Sequence, residues 1–118
     1  MKKDYPVFLT FFVGTTMILR LFLFFFPTVN LTFFGVNIHH LYFGALILVL
    51  LAPFLLAGVK SLFLPVLLGL GSALVVDELV YLVATDGSDL AYLSPTSWTG
   101  ALFLTLLVLG TTVALGRR

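Results

Sequence analysis

Long apolar stretches alternate with short polar segments along the chain, and four such stretches can be distinguished. A helix needs about 20 apolar residues to cross a bilayer. The four helices that this pattern predicts lie at about residues 6–26, 39–57, 61–84 and 98–116. Pro27 ends the first helix because proline cannot continue it, and Gly58 is a suitable C-terminal cap for the second. The pattern predicts one all-α membrane domain over residues 1–118, an antiparallel bundle of four transmembrane helices.

The composition agrees with a membrane protein and excludes several kinds of chemistry. Hydrophobic residues make up 61% of the chain and charged residues only 9%, whereas about a quarter of the residues in a soluble domain are charged. The chain has no cysteine, so disulfides, thiolate nucleophiles and thiolate metal sites are excluded. A nucleic-acid partner is not expected, because no basic cluster could neutralise its phosphates. The expected partner is the lipid bilayer.

The basic residues predict the orientation of the helices. Apart from Arg20, they are Lys2, Lys3, Lys60, Arg117 and Arg118. All of these fall on one side of the membrane if four helices alternate in direction, and the segments 27–38 and 85–97 on the other side contain no Lys or Arg. Lys and Arg near helix ends concentrate on the cytoplasmic side. We therefore expect an integral protein of the cell membrane with both termini cytoplasmic, its first helix retained because its apolar run exceeds that of a signal peptide.

Ionisable residues occur at one predicted depth. Those within or at the edge of the apolar helices are Arg20, His39, His40, Asp77 and Glu78. At 1.5 Å per residue, Arg20 lies about 21 Å and Asp77 about 24 Å from the inner ends of their helices, and the histidines open the second helix at its outer end. Charges in hydrocarbon are costly and usually face the bundle interior. We expect these side chains to converge near the outer interface.

The third helix carries a stripe of residues spaced by four: Gly69, Ala73, Asp77 and Tyr81. Small residues at this spacing let helices approach closely, so Asp77 is expected to point into the bundle, with the Tyr81 hydroxyl near either carboxylate. Glu78 lies about 100° further round the helix and is expected to face another neighbour. On the second helix, His40 and Gly44 share a stripe that predicts a second close crossing. Further ligand-binding or charge-pairing groups are expected to be Arg20, Tyr42, Tyr81, Tyr92 and Ser94.

The leading functional prediction is a polar site that opens to the outside and binds a divalent metal or a small ligand, with catalysis left open. The candidate metal ligands are His39, His40, Asp77 and Glu78, a set that suits Zn, Fe or Mn. The spacing is not that of a typical zinc helix, because adjacent histidines point about 100° apart and no H-x-x-x-H motif is present.

Two alternatives belong to other functional classes. The first is an oligomeric transporter of ions, protons or small solutes, since carboxylates and histidines inside membranes are common relay groups. The second is a structural subunit of a larger membrane complex, in which the cluster is a packing lock, a set of paired charges that fixes how the helices pack. A lock predicts full internal pairing and no pocket, and a transporter of this size requires a homo-oligomer.

Three segments carry a resemblance to a known family: "IHHLYFG" at 38–44, "GLGSALVVDE" at 69–78 and "YLS" at 92–94. Together they resemble an uncharacterised family of small polytopic integral membrane proteins of archaea and bacteria, with the pattern I-H-H-x-x-x-G, then D-E, then Y-x-S. The chain departs from that pattern at Leu93, where the family has Trp. The resemblance implies a polytopic membrane protein and supplies no substrate.

Overall fold

The computed structural model describes residues 3–118, so the predicted inner charge of Lys2 lies outside the described residues. Its elements are α1 (Asp4–Phe25), β1 (Thr32–Phe33), β2 (Val36–Asn37), α2 (His40–Leu56), α3 (Phe63–Ala84), α4 (Asp89–Tyr92) and α5 (Pro95–Gly116). The prediction of a largely helical fold is confirmed. Three helices, α1, α3 and α5, have 22 residues each and are long and apolar enough to cross a membrane. The fourth apolar helix, α2, is shorter, with 17 residues.

The four long helices begin one to three residues from their predicted starts, and hydroxyl groups lie at two of these starts. The start of α5 lies at Pro95 instead of residue 98, since the Ser94 hydroxyl accepts a hydrogen bond from the Ser97 N–H and proline suits the first position of a helix. The start of α3 lies at Phe63 instead of residue 61, and the Ser61 hydroxyl accepts the Phe63 N–H at 3.2 Å.

The segment between α1 and α2 forms a small β-hairpin that the sequence did not predict. Thr32 pairs with Asn37 and Phe33 with Val36 in antiparallel register. The two turn residues between them have positive φ, 49° at the first position and 78° at Gly35, as a tight two-residue hairpin turn requires. Strands of two residues are too short to show an alternating pattern, which is why the hairpin was missed.

Helix α3 is the centre of the fold. Each of α1, α2 and α5 packs along α3, whereas no Cα atom of α1 lies within 8 Å of one in α2 among the described residues. The buried core between α1 and α3 consists of Phe12, Ala73 and Val76. The helices therefore surround α3 and leave a cleft between α1 and α2.

Glycines set the distances between α3 and its neighbours. A Cβ atom added at Gly44 on α2 would lie 2.5 Å from the carbonyl oxygen of Gly71, and one added at Gly69 would lie 2.7 Å from the backbone of α1. On α5, a Cβ atom added at Gly100 would overlap the side chain of Val80. Any larger residue at these positions would push the helices apart, so the predicted close crossings at Gly69 and Gly44 are confirmed.

Candidate functional site

All five predicted ionisable residues meet at one end of the helices. With two further residues they form a cluster that we call the outer cluster, after the membrane side that the sequence predicts for it. Its members are Arg20, His39, His40, Asp77, Glu78, Tyr92 and Ser97. Every helix contributes to it, α2 through its first residue and its N-cap. Arg20, Asp77 and Glu78 are 4%, 1% and 4% exposed, so their charges depend on each other for solvation.

Arg20 directs its whole guanidinium at groups of the protein. Nε donates to Asp77 Oδ1 at 2.6 Å, Nη1 donates to the Ser97 hydroxyl and the Tyr92 carbonyl oxygen, and Nη2 donates to the Asp77 and Ser97 carbonyl oxygens. Its Cζ atom also lies 4.2 Å from the centre of the Tyr92 ring. Five acceptors match the five N–H groups of an arginine, so this charge is used to hold α1, α3, α4 and α5 together.

Both carboxylate oxygens of Asp77 have partners. Oδ1 accepts the Arg20 hydrogen bond, while Oδ2 accepts the Tyr92 hydroxyl at 2.5 Å and faces His40 Nε2 at 2.9 Å. Burial, together with the adjacent Asp77 carboxylate, raises the pKa of the Tyr92 phenol well above its ordinary value. Tyr92 therefore remains a proton donor to Asp77.

Glu78 caps α2 from a different helix. The N-cap residue of α2, His39, makes no side-chain cap of its own. Glu78 Oε2 instead accepts the N–H of Leu41 at 2.9 Å, and its charge lies where the positive end of the helix dipole favours an anion. The expectation that Glu78 faces another neighbour than Asp77 agrees with this arrangement.

The two histidines are held by these carboxylates at the edge of the cluster. His40 faces Asp77 through Nε2 and Glu78 Oε1 through Nδ1, at 2.9 and 3.4 Å. His39 Nδ1 lies 3.2 Å from Glu78 Oε1. Nε2 of His39 has no hydrogen-bond partner in the described part of the chain, and about a fifth of each imidazole is exposed. These rings are the exposed part of the outer cluster.

The remaining predicted residues lie elsewhere or make other contacts. The Tyr81 hydroxyl, expected near the carboxylates, donates to the Gly87 and Ser88 carbonyl oxygens instead. Tyr42 is 59% exposed. The Ser94 hydroxyl caps α5 and donates to the Ala91 carbonyl oxygen. Of these, only Tyr81 lies against the cluster, where its ring meets His39 edge-on.

Two contributors were missed by the sequence analysis. Ser97 is fully buried and accepts from Arg20, and Trp98 places its ring 5.0 Å from the Arg20 Cζ atom. Both lie in the first turn of α5, at the depth of the other cluster residues. That shared depth is the signal that could have identified them.

A cavity of about 210 Å³ lies beside the histidines. Its polar surface comes from residues of the cluster and the adjoining loops: His39, His40, Glu78, Tyr81, Tyr92, Asn30, Asn37 and Asp89. Its apolar surface comes largely from α1, α2 and the hairpin segment. The cavity is large enough for a small molecule or a head group and below the usual size of a drug site.

The cluster thus has two halves with different surroundings. Arg20 and Asp77 are closed off by protein groups, as a packing lock requires. Glu78 and the two histidines line the cavity, which a lock alone does not explain.

The prediction of a metal site finds no support in this geometry. Within residues 3–118, no group of three or more His, Cys, Asp or Glu side chains is arranged to hold a metal ion. The carboxylate oxygens of Asp77 and Glu78 already accept hydrogen bonds from Arg20, Tyr92 and the Leu41 N–H, and a metal would have to displace such partners.

Comparisons with family models, with curated proteins and with solved structures found no match.

Proposed function

We propose that this protein is an integral membrane protein whose outer cavity binds a small organic cation. The observation that carries the proposal is the charge distribution around the cavity. Glu78 and Asp89 both line it, and no Lys or Arg is among its described lining residues. The one nearby guanidinium, that of Arg20, is turned towards protein acceptors. Among the described lining residues, Glu78 and Asp89 are carboxylates, and the only basic side chains are the two imidazoles.

The aromatic lining supports the same ligand class. Tyr81, Tyr92, Phe22 and Phe43 all line the cavity, and aromatic faces attract cations by roughly 0.5–2 kcal/mol each. Glu78 supplies a carboxylate that can form a charge-assisted hydrogen bond with an ammonium group. His39 adds a ring nitrogen without a described partner. An anion would meet two carboxylates, and no Lys or Arg is among the described lining residues to bind it.

The proposal includes a fourth membrane crossing by α2. Seventeen residues correspond to about 26 Å of helix, at the short end of the range for a transmembrane segment. With four crossings both termini are cytoplasmic, because Lys3, Lys60 and Arg117 then share the inner side. The outer cavity faces the outside of the cell. The two alternatives, an oligomeric transporter and a structural subunit of a larger complex, stay predictions.

An NMR titration of the purified protein in maltoside micelles with ethylammonium tests the ligand class. We expect saturable binding that is at least about tenfold weaker in Glu78→Gln, since the amide keeps an acceptor for the Leu41 N–H but loses the charge. Asp86→Asn is the matched control, because it removes the same charge from a fully exposed outer carboxylate that does not line the cavity. Ethanol is the uncharged control probe.

Three outcomes overturn the proposal. They are no saturable binding of ethylammonium, equal binding of ethanol, and an equal loss in Asp86→Asn. Metal content measured by mass spectrometry tests the alternative of a metal ligand. One equivalent of Zn or Mn, lost in both His39→Ala and Glu78→Gln, would replace the organic cation with the metal ligand predicted from the sequence.

A further inference from the structure

The cavity is built where the fold leaves two helices apart. α1 and α2 both pack on α3, and their Cα atoms stay more than 8 Å from each other throughout the described chain. Leu19, Leu23 and Phe22 of α1 line the cavity on one side and Phe43 of α2 on the other. Both helices expose apolar side chains, so within a bilayer the opening between them would face lipid.

The lining changes from apolar to polar across the cavity. The wall facing the α1–α2 opening carries leucine and phenylalanine side chains, and Phe22 and Phe43 are 46% and 40% exposed. The floor on α3 carries Glu78 and Tyr81. Such a gradient fits a molecule with one polar end and one apolar end.

The hairpin segment forms part of the cavity wall and is tied to α4. The Asn30 amide donates to Asp89 Oδ1 at 3.2 Å, and the Asn37 amide donates to Asn30 Oδ1 at 3.2 Å. These bonds tie the hairpin segment to α4, and both asparagines line the cavity. The same segment also contributes the apolar residues Val29 and Leu31 to the lining.

We propose that the ligand is a long-chain amine from the outer leaflet, which enters between α1 and α2 and places its ammonium group at Glu78. This second proposal rests on the proposed function and names the chemical class of the ligand that the cavity binds. A phospholipid head group fits less well, because its phosphate would meet Glu78 and Asp89, and the described lining residues include no Lys or Arg. The alkyl chain stays in the apolar opening, so only the head group leaves the lipid.

Blocking the opening tests the route separately from the site. The protein is placed in nanodiscs of an uncharged galactolipid, and binding of dodecylammonium and of ethylammonium is measured, with empty nanodiscs subtracting partition into lipid. Leu19→Trp and Leu23→Trp fill the opening. Because both leucines line the cavity, a tryptophan there narrows it for either probe. We therefore expect dodecylammonium binding to fall by at least about tenfold more than ethylammonium binding in both variants. Leu107→Trp, an exposed position on α5, is the matched control and should change neither.

The outcomes separate the two proposals. If ethylammonium binds and dodecylammonium binding is unchanged by the blocking variants, the lateral route is wrong and the cation site stands. If dodecanol, which has the chain without the charge, binds as well as dodecylammonium, the amine assignment is wrong. If the wild-type protein does not bind ethylammonium, the proposed cation site itself is wrong. Retained ethylammonium binding in Leu19→Trp also demonstrates that the variant is folded.

Discussion

The Arg20 Nε atom on α1 donates a hydrogen bond to Asp77 Oδ1 on α3 at a distance of 2.6 Å, and both side chains are almost completely buried. The other four N–H groups of Arg20 are also bound by protein acceptors. This pair fixes the rotation of α1 relative to α3 and the position of the loop before α5. The cation site proposed at Glu78 is therefore supported by a rigid neighbour that does not itself need to meet a ligand.

Breaking this ion pair on one side should destabilise the protein strongly. Asp77→Leu leaves the Arg20 guanidinium buried without its carboxylate, which typically costs about 3–5 kcal/mol. Removing both charges in Arg20→Met/Asp77→Leu should restore a large part of the lost free energy of unfolding, since no unpaired charge remains. Unfolding in mixed micelles with increasing SDS measures both. A single variant as stable as wild type would show that the pair does not hold the helices.

Removing the Glu78 cap should loosen the first turn of α2. Glu78→Ala deprives the Leu41 N–H of its acceptor and removes the anion from the helix N-terminus, at a cost of about 1–2 kcal/mol. Glu78→Gln keeps an acceptor and should lose less. Hydrogen exchange checks this, with faster exchange expected at residues 41–43 and unchanged exchange at the other end of α2, near Ala57. Uniform acceleration along α2 would contradict a local cap.

Close helix packing predicts that alanine substitutions at two glycines have different effects on stability. Gly44→Ala puts a methyl group against the Gly71 carbonyl oxygen and should cost about 1–3 kcal/mol by overpacking. Gly110→Ala is the matched control, because an added Cβ there meets no atom within 4 Å, and alanine is the better helix former. The free energy of unfolding should fall in the first variant and stay level or rise in the second. Equal effects would argue against a tight α2–α3 crossing.

The phenol of Tyr92 should not ionise while the protein is folded. Burial and the Asp77 carboxylate raise its pKa above the ordinary value of 10.0, so the stability it contributes is present below pH 10 and is lost as the pH rises above that value, where the unfolded chain releases the proton. Ultraviolet titration of the folded protein should give the same phenolate absorbance for wild type and Tyr92→Phe. After unfolding at alkaline pH, wild type should gain one phenolate more than the variant. A smaller folded-state signal in Tyr92→Phe would show that Tyr92 titrates normally.

Local patterns in the chain were sufficient for much of this architecture. The apolar runs predict the helices because the cost of exposing backbone and polar groups to lipid depends mainly on the length and composition of each run. The depth of Arg20 and Asp77 follows from the constant rise of a helix, and the buried stripe containing Gly69 and Asp77 follows from its period. These quantities depend only on residues that are near each other in sequence, so the amino-acid sequence by itself determined them.

Only the tertiary structure decided which side chains form hydrogen bonds with each other. Glu78 caps α2, and Tyr81 bonds to the loop before α4 instead of a carboxylate, although spacing allowed several other pairings of similar energy. Which pairing forms depends on the rotation of each helix about α3, and that rotation is set by contacts such as Gly44 against Gly71. The cleft between α1 and α2 has the same origin, because α1 packs at Gly69 and α2 at Gly71, on different sides of α3. Such geometry arises from residues far apart in sequence, where periodicity carries no information.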